Sequence, residues 1–203
     1  MGTTQSRIFR MARAEIGDRD INPKTFTEVY SETVDYCLEQ GYWNFASRSV
    51  QIDSSTDIEP VFGYSYVFER PTDWIRTVTV SGGENLYPLQ DYLDEKSLWH
   101  ANVDPLYVQY ISNDSSYGLD LTAWPETFSG FVACELARRV SMRSNGGRDE
   151  YQELGQRVKR YLADARSKDA MNNSVAYPPE GRWTRARRSW GGGERGKRNT
   201  LIG

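Results

Sequence analysis

Residues 22–41 read NPKTFTEVYSETVDYCLEQG and hold the clearest helical pattern in the chain. Asn22 is a favourable N-cap, Pro23 suits the first helical position, and Gly41 is a typical helix stop. Between them, apolar side chains recur every three or four residues, at Phe26, Val29, Tyr30, Val34, Cys37 and Leu38. This spacing places them on one face, so the segment is predicted to be a core helix.

Three further segments have helical periodicity. Helices are predicted over residues 4–16, before Gly17, from Pro125 to about residue 140, and over residues 149–170. In the middle of the chain the apolar period falls to two, most clearly over Phe62, Tyr64, Tyr66 and Phe68. An alternating pattern of this kind predicts β-strands.

The order of these elements predicts an α+β fold. Residues 1–45 and 122–170 are expected to form a four-helix bundle, and residues 46–121 a small antiparallel β-sheet domain inserted into it. Residues 171–203, rich in Arg, Trp and Gly, are expected to form an extended C-terminal arm.

Composition argues against several classes of protein. No stretch approaches the roughly 18 apolar residues of a membrane span, and residues 1–15 lack the apolar core of a secretion signal, so neither membrane insertion nor signal-dependent export is expected. Cys37, Cys134 and the single His100 are too few for a disulfide framework or a zinc site. Both cysteines are predicted to be core residues, and His100 a surface or packing residue. No metal and no cofactor is expected.

One motif resembles a nucleotide-binding site in its spacing. Residues 191–198, GGGERGKR, have the spacing of a phosphate-binding loop, but Arg198 stands where Ser or Thr would bind Mg²⁺. Neither a preceding hydrophobic strand nor a following helix is predicted there. Since no other catalytic constellation is present, the chain is predicted not to be an enzyme, with no catalytic residues.

Charge is divided along the chain. Residues 182–203 hold seven basic residues and one acidic residue, for a net +6, whereas the other 181 residues hold 18 basic and 27 acidic residues, for a net −9. A basic terminal run is either a solvated, disordered tail or an interaction segment. Trp183 and Trp190, interleaved with the arginines, favour docking because two exposed tryptophans would invite aggregation.

Aromatic residues are abundant, at 13 Tyr, 7 Phe and 6 Trp. Some are expected at interfaces, where aromatic side chains are enriched. Tyr64, Tyr66 and Phe68 fit strand pairing equally well, so both interpretations stay open.

Several short motifs occur in a recognisable order. These are GYWNFA at 41–46, FERPTDW at 68–74, YVQYI at 107–111, AWPETFSGFVACELA at 123–137, YLADARSKDA at 161–170 and GRWTRARR at 181–188. The ordered set, spanning about residues 20–190, resembles the head-to-tail adaptor of short-tailed bacteriophages, the family called tail tubular protein A.

The resemblance implies a structural virion protein of the phage neck, assembled in the host cytoplasm. Such proteins form a ring, typically of twelve copies, between the portal and the tail nozzle, and genomic DNA passes through the ring without specific binding. The C-terminal segment would be the portal-docking arm. Its anchors would be Trp183 and Trp190, and its cations Arg182, Arg185, Arg187 and Arg188.

Physical considerations agree with this implication. A ring needs two different patches on each subunit, and a net acidic body suits a conduit that does not retain DNA. The alternative is a small nucleic-acid-binding protein, in which the arginines hold phosphates and the tryptophans stack on bases.

Overall fold

The computed structural model describes residues 3–17, 21–84, 87–143 and 147–172, and residues up to Asn172 form one compact unit. The expected C-terminal arm therefore lies outside the described residues, apart from its first two positions. The described part has the expected α+β class.

Four helices occur where helical periodicity predicts them. They are α1 (Gln5–Glu15), α2 (Pro23–Glu39), α3 (Glu126–Arg143) and α4 (Arg148–Met171). The side chain of Thr4 caps α1 by accepting a hydrogen bond from the backbone N–H of Arg7, and that of Asn22 caps α2 through the N–H of Lys24. These caps satisfy backbone donors that have no partner inside the helix.

Helix α3 is central to the helical part. It packs against α1, α2 and α4, and its residues 128–137 are buried on every side. Apart from Glu135, the side chains of this stretch are apolar or small, a composition suited to a helix enclosed by its neighbours. Because the extensive helix contacts all involve α3, the structure shows four helices around a common core without establishing the four-helix bundle expected from the sequence.

The strands form two small antiparallel sheets, where a single sheet was expected. The strands are β1 (Ser47–Ile52), β2 (Tyr66–Glu69), β3 (Trp74–Ser81), β4 (Tyr92–Glu95), β5 (Leu98–Ala101) and β6 (Leu106–Ser112). One sheet has the order β1-β6-β3 and the other β2-β5-β4. They share a core cluster that includes Phe68, Trp99 and Val108.

Two details of the β region differ from the sequence pattern. The alternating run that begins at Phe62 becomes a strand only at Tyr66. The hairpin of β4 and β5 was not predicted, because its residues 92–101 mix charged and apolar side chains without a regular alternation.

Candidate interaction surfaces

The predicted docking residues Arg182, Trp183, Arg185, Arg187, Arg188 and Trp190 all lie outside the described residues, as does the 191–198 motif. Interaction surfaces can therefore be located only on the compact unit. Two stand out there: an exposed turn in the β region and a groove between helices.

The cysteines and the histidine are packing residues. Cys37 and Cys134 are buried and free of disulfide bonds, and burial raises the pKa of Cys134 to about 12. His100 is buried in β5, where its Nε2 lies 3.5 Å from a carboxylate oxygen of Glu95. Within the described residues there is no cluster of His, Cys, Asp or Glu that could hold a metal ion. None of the described helices is long and apolar enough to cross a bilayer.

Most described aromatic side chains are used in the core. Trp43, Trp99, Trp124, Phe68 and Phe128 are all buried. For Phe68 the strand-packing interpretation is thus confirmed, whereas Tyr66, on the same strand, is exposed. Among the described residues, four aromatic side chains are exposed: Tyr42, Phe62, Tyr66 and Tyr87.

Residues 61–64 form a tight turn, called here the Phe62 turn. The backbone N–H of Tyr64 donates to the carbonyl of Val61 over 3.2 Å, and both central residues have positive φ, +55° at Phe62 and +81° at Gly63. A turn of this type favours Asn, Asp or Gly at its first central position. A bulky phenylalanine there is a backbone outlier, and its side chain is 82% exposed.

The Phe62 turn is held in place by its C-terminal flank. The Tyr64 hydroxyl donates to Asp91 over 3.3 Å, and the backbone N–H of Ser65 donates to the side-chain oxygen of Asn102 over 3.0 Å. The Asn102 amide donates in turn to Asp91 over 3.4 Å. These bonds tie the turn to the sheet of β2, β4 and β5, so Phe62 is presented on an anchored support.

The β region is strongly acidic. Residues 46–121 contain 4 basic and 12 acidic side chains, a formal net charge of −8, so nearly all of the −9 of residues 1–181 lies here. Its three arginines already have partners: Arg48 pairs with Asp73, Arg70 with Asp94, and Arg76 stacks on Tyr42. Three of the twelve acidic side chains, Asp53, Asp57 and Glu59, lie in the stretch leading to the Phe62 turn, which has no basic residue. This surface repels polyanions and attracts cationic groups.

A groove of about 750 Å³, called here the helical groove, runs between α2, α3 and α4. It is lined by Tyr36, Phe131, Arg138, Asp149, Tyr151, Gln152, Glu153, Gly155, Gln156, Val158, Lys159 and Leu162. The lining is therefore mixed, with apolar and aromatic side chains beside two basic and two acidic ones. A concave surface of this composition is suited to receiving an apolar side chain with polar neighbours.

A buried ion-pair network forms one wall of this groove. Glu135 is fully buried and accepts hydrogen bonds from Arg138, at 2.7 and 2.8 Å, and from Arg139 at 2.9 Å. Arg138 also donates to the Tyr151 hydroxyl of α4 over 2.6 Å, while Arg139 lies over the Tyr36 ring of α2. The network fixes Tyr36 and Tyr151 relative to α3, so the groove is preformed.

Neither surface was identified from the sequence. The Phe62–Gly63 pair after Pro60 is a turn signal, but the regular Phe62 to Phe68 alternation masks it. The groove joins residues that are more than a hundred positions apart and has no local signature. In comparisons with known proteins, no family model matches this chain and no curated protein matches it.

Proposed function

We propose that this protein is a structural component of a short-tailed phage virion, namely the head-to-tail adaptor ring that joins the portal to the tail nozzle. In this proposal the protein is not an enzyme, it needs no cofactor, and genomic DNA passes through its ring without specific binding. The proposal rests on the ordered motifs described above, and the observation that carries it furthest is the separation of charge between an acidic β region and a basic C-terminal segment.

Charge separation supports a conduit for a simple reason. Phosphate contacts with Lys and Arg retain DNA, whereas a surface with a net charge of −8 repels it. An adaptor must let DNA pass and must also bind the portal. A subunit that lines the channel with its acidic part and docks on the portal through its basic part would do both.

Two different surfaces on one compact unit also support a ring. Closed rings form through heterologous contacts, in which one patch of a subunit meets a different patch of the next. The Phe62 turn and the helical groove belong to different parts of the fold, the β region and the helices. In the ring we propose that the helices act as a four-helix bundle, that about twelve copies assemble, and that the β region faces the nozzle.

Portal binding tests the proposal directly. Light scattering would measure the mass of the purified protein, alone and mixed with portal rings of the same phage. Negative-stain microscopy would image the same samples. We expect rings stacked on the portal, and we expect truncation before Arg182 to abolish stacking because it removes Trp183, Trp190 and the clustered arginines. A protein that does not bind portal rings in either measurement would overturn the proposal.

The alternative, a small nucleic-acid-binding protein, is favoured by the Arg/Trp composition of residues 182–190. It predicts DNA binding that weakens steeply with salt and is lost with the same truncation. This alternative would be excluded if the intact chain binds portals and does not change the electrophoretic mobility of DNA at low salt.

A further inference from the structure

We propose that the Phe62 turn and the acidic stretch before it bind residues 182–190 of a second copy. This part of the chain, called here the Arg/Trp segment, reads RWTRARRSW. The inference goes beyond the proposed function, because it uses only the charges and surfaces of this chain. For the proposed adaptor, it means that free copies hold one another's basic segments until a portal displaces them.

The Phe62 turn presents an apolar tip at a cost to the isolated chain. Phe62 exposes 82% of its surface at a φ of +55°, and both its exposure and this backbone conformation are unfavourable for phenylalanine. Val61 and Tyr66 beside it are also exposed. Because the hydrogen bonds of Tyr64 and Ser65 hold the turn on the sheet, little ordering is needed when a partner binds.

The carboxylates around this tip are available to a cationic partner. Residues 53–69 contain four acidic side chains and no basic one. Within the part of the chain that the structure describes, no ion pair involves the three that precede the turn, Asp53, Asp57 and Glu59. Two further carboxylates, of Asp91 and Asp104, accept hydrogen bonds from Tyr64 and Ser54 and so add negative charge beside the same stretch.

The Arg/Trp segment has the complementary chemistry. It holds four arginines and two tryptophans, and no acidic residue occurs between Glu180 and Glu194. A guanidinium group pairs with carboxylates and also stacks on aromatic rings, so the arginines suit both the acidic stretch and Phe62. Trp183 and Trp190 add apolar surface that matches the exposed tip.

Other occupants match the site less well. DNA and anionic lipid surfaces are repelled by the same carboxylates. The helical groove of another copy has two acidic and two basic side chains in its lining, and so offers no net charge of opposite sign. A basic aromatic segment meets both the charge and the apolar tip of the site.

Topology favours a second copy as the donor of the segment. Helix α4 ends beside Asn44, whose backbone N–H donates to Asp169, and Asn44 lies just before the start of β1. The Phe62 turn follows the other end of β1, which is about 20 Å away for a strand of six residues. Each copy also carries one acidic site and one basic segment, so exchange between copies is a heterologous contact that uses both groups of every copy.

Three full-length variants test the contact without altering the core. The first, Phe62→Asn, removes the ring and places at positive φ a residue that tolerates it. The second neutralises the acidic stretch and the third the Arg/Trp segment, through Asp53→Asn, Asp57→Asn and Glu59→Gln in one and Arg182→Ser, Trp183→Ser, Arg185→Ser, Arg187→Ser, Arg188→Ser and Trp190→Ser in the other. All three should unfold near the wild-type denaturant midpoint. Each should weaken self-association at low salt about tenfold or more in sedimentation velocity.

Matched controls separate this site from general effects of charge and apolar surface. Glu32→Gln, Glu39→Gln and Asp164→Asn together remove three exposed carboxylates from α2 and α4, and Met142→Asn removes an exposed apolar side chain from α3. Both controls should self-associate like the wild type. Equal weakening by the triple control and by neutralising the acidic stretch would assign the effect to net charge alone, and would overturn the proposed site.

A labelled peptide tests the site directly. A fluorescent peptide of residues 181–190 should bind the third variant, whose own segment is replaced, and fluorescence anisotropy should show binding that weakens as salt rises. The same peptide with Trp183→Ala and Trp190→Ala should bind about tenfold more weakly, since the tryptophans supply the apolar contact. Unchanged binding after Phe62→Asn is added to the third variant would refute the role of the turn.

Crosslinking tests exchange between copies. Full-length Val61→Cys and Ser189→Cys proteins, mixed in equal amounts with a short bismaleimide, should give a covalent dimer that neither variant forms alone. The native Cys37 and Cys134 are buried and should stay unreactive. Absence of the mixed dimer would overturn the inference, as would a wild type that stays monomeric at low salt up to its solubility limit.

The outcomes also distinguish this inference from the proposed function. Portal-bound rings of a chain that shows neither peptide binding nor the mixed crosslink would keep the adaptor and refute this contact. Peptide binding and the crosslink in a chain that never binds portals would keep the contact and refute the adaptor.

Discussion

Arg48 and Asp73 form an ion pair of 2.9 Å that joins the two outer strands of a sheet across its central strand. Arg48 lies on β1 and Asp73 directly precedes β3, while the central strand β6 contributes the hydroxyls of Tyr110 and Ser112 to the same carboxylate. One carboxylate therefore connects all three strands. Burial alone would raise the pKa of Asp73, but the hydrogen bonds from Ser112, Arg48 and Tyr110 outweigh it and lower that pKa.

Asp73→Asn should destabilise the protein by about 1–3 kcal/mol at pH 7, because it removes a charged acceptor from a partly buried network. Since the pKa of Asp73 is lowered in the fold, its contribution is present above the ordinary carboxyl pKa and is lost as the pH falls through the folded value. Urea unfolding at a series of pH values should show the difference from wild type shrinking in acid. Asp57→Asn, which removes an exposed carboxylate, is the control, and a pH-independent difference for Asp73→Asn would contradict the prediction.

Asp169 should show the opposite pH dependence. Its carboxylate accepts the backbone N–H of Asn44 over 3.2 Å, and burial raises its pKa. A raised pKa favours the protonated fold, so this contribution to stability decreases as the pH rises from the unfolded to the folded value.

Asp169→Asn keeps an acceptor for Asn44 without the buried charge. The variant should be at least as stable as the wild type at pH 7, with an advantage that disappears near pH 3, while Asp169→Ala should lose about 1–3 kcal/mol by leaving the N–H without its acceptor. Thermal unfolding at pH 7 and near pH 3 would measure the stability of both variants relative to the wild type. A destabilised Asp169→Asn at pH 7 would show that the charged form is the one the fold favours.

Glu135→Gln should destabilise the fold by about 3–5 kcal/mol, because it leaves Arg138 and Arg139 without their buried counter-charge. Glu153→Gln is a matched control on α4: it also removes a carboxylate from an arginine pair, with Arg157, but the pair is exposed and should contribute less than about 1 kcal/mol. Denaturant unfolding of both variants provides the comparison, and equal effects would refute the assigned role of burial.

Trp124→Ala should unfold the protein or cost about 3–5 kcal/mol. Trp124 is buried, its ring meets Phe128 edge-on at 4.9 Å, and its indole N–H donates to the Gly118 carbonyl over 2.8 Å. Circular dichroism with a thermal scan would measure the loss. A folded variant that fails only in assembly would instead place Trp124 at an interface.

The helices could be predicted because their signals are local. Asn22 and Pro23 start α2 where expected, and the three-to-four spacing of Phe26, Val29 and Val34 identifies its buried face. The β region was predicted less well. Phe62 follows the same alternation as Phe68, yet only Phe68 is buried, because pairing with β5 begins at Tyr66 and no neighbouring strand covers the turn.

The sequence by itself determined the α+β class, the four helices, the buried cysteines and the division of charge, since these follow from periodicity, capping residues and composition. Only the tertiary structure decided that the strands form two sheets, that Phe62 is exposed at positive φ, and that Gly155 opens onto a groove with Tyr36 and Phe131. The physical reason is distance along the chain. A cap or an apolar face is set by residues within a few positions of one another, whereas a groove or a strand edge depends on which remote segments pack together.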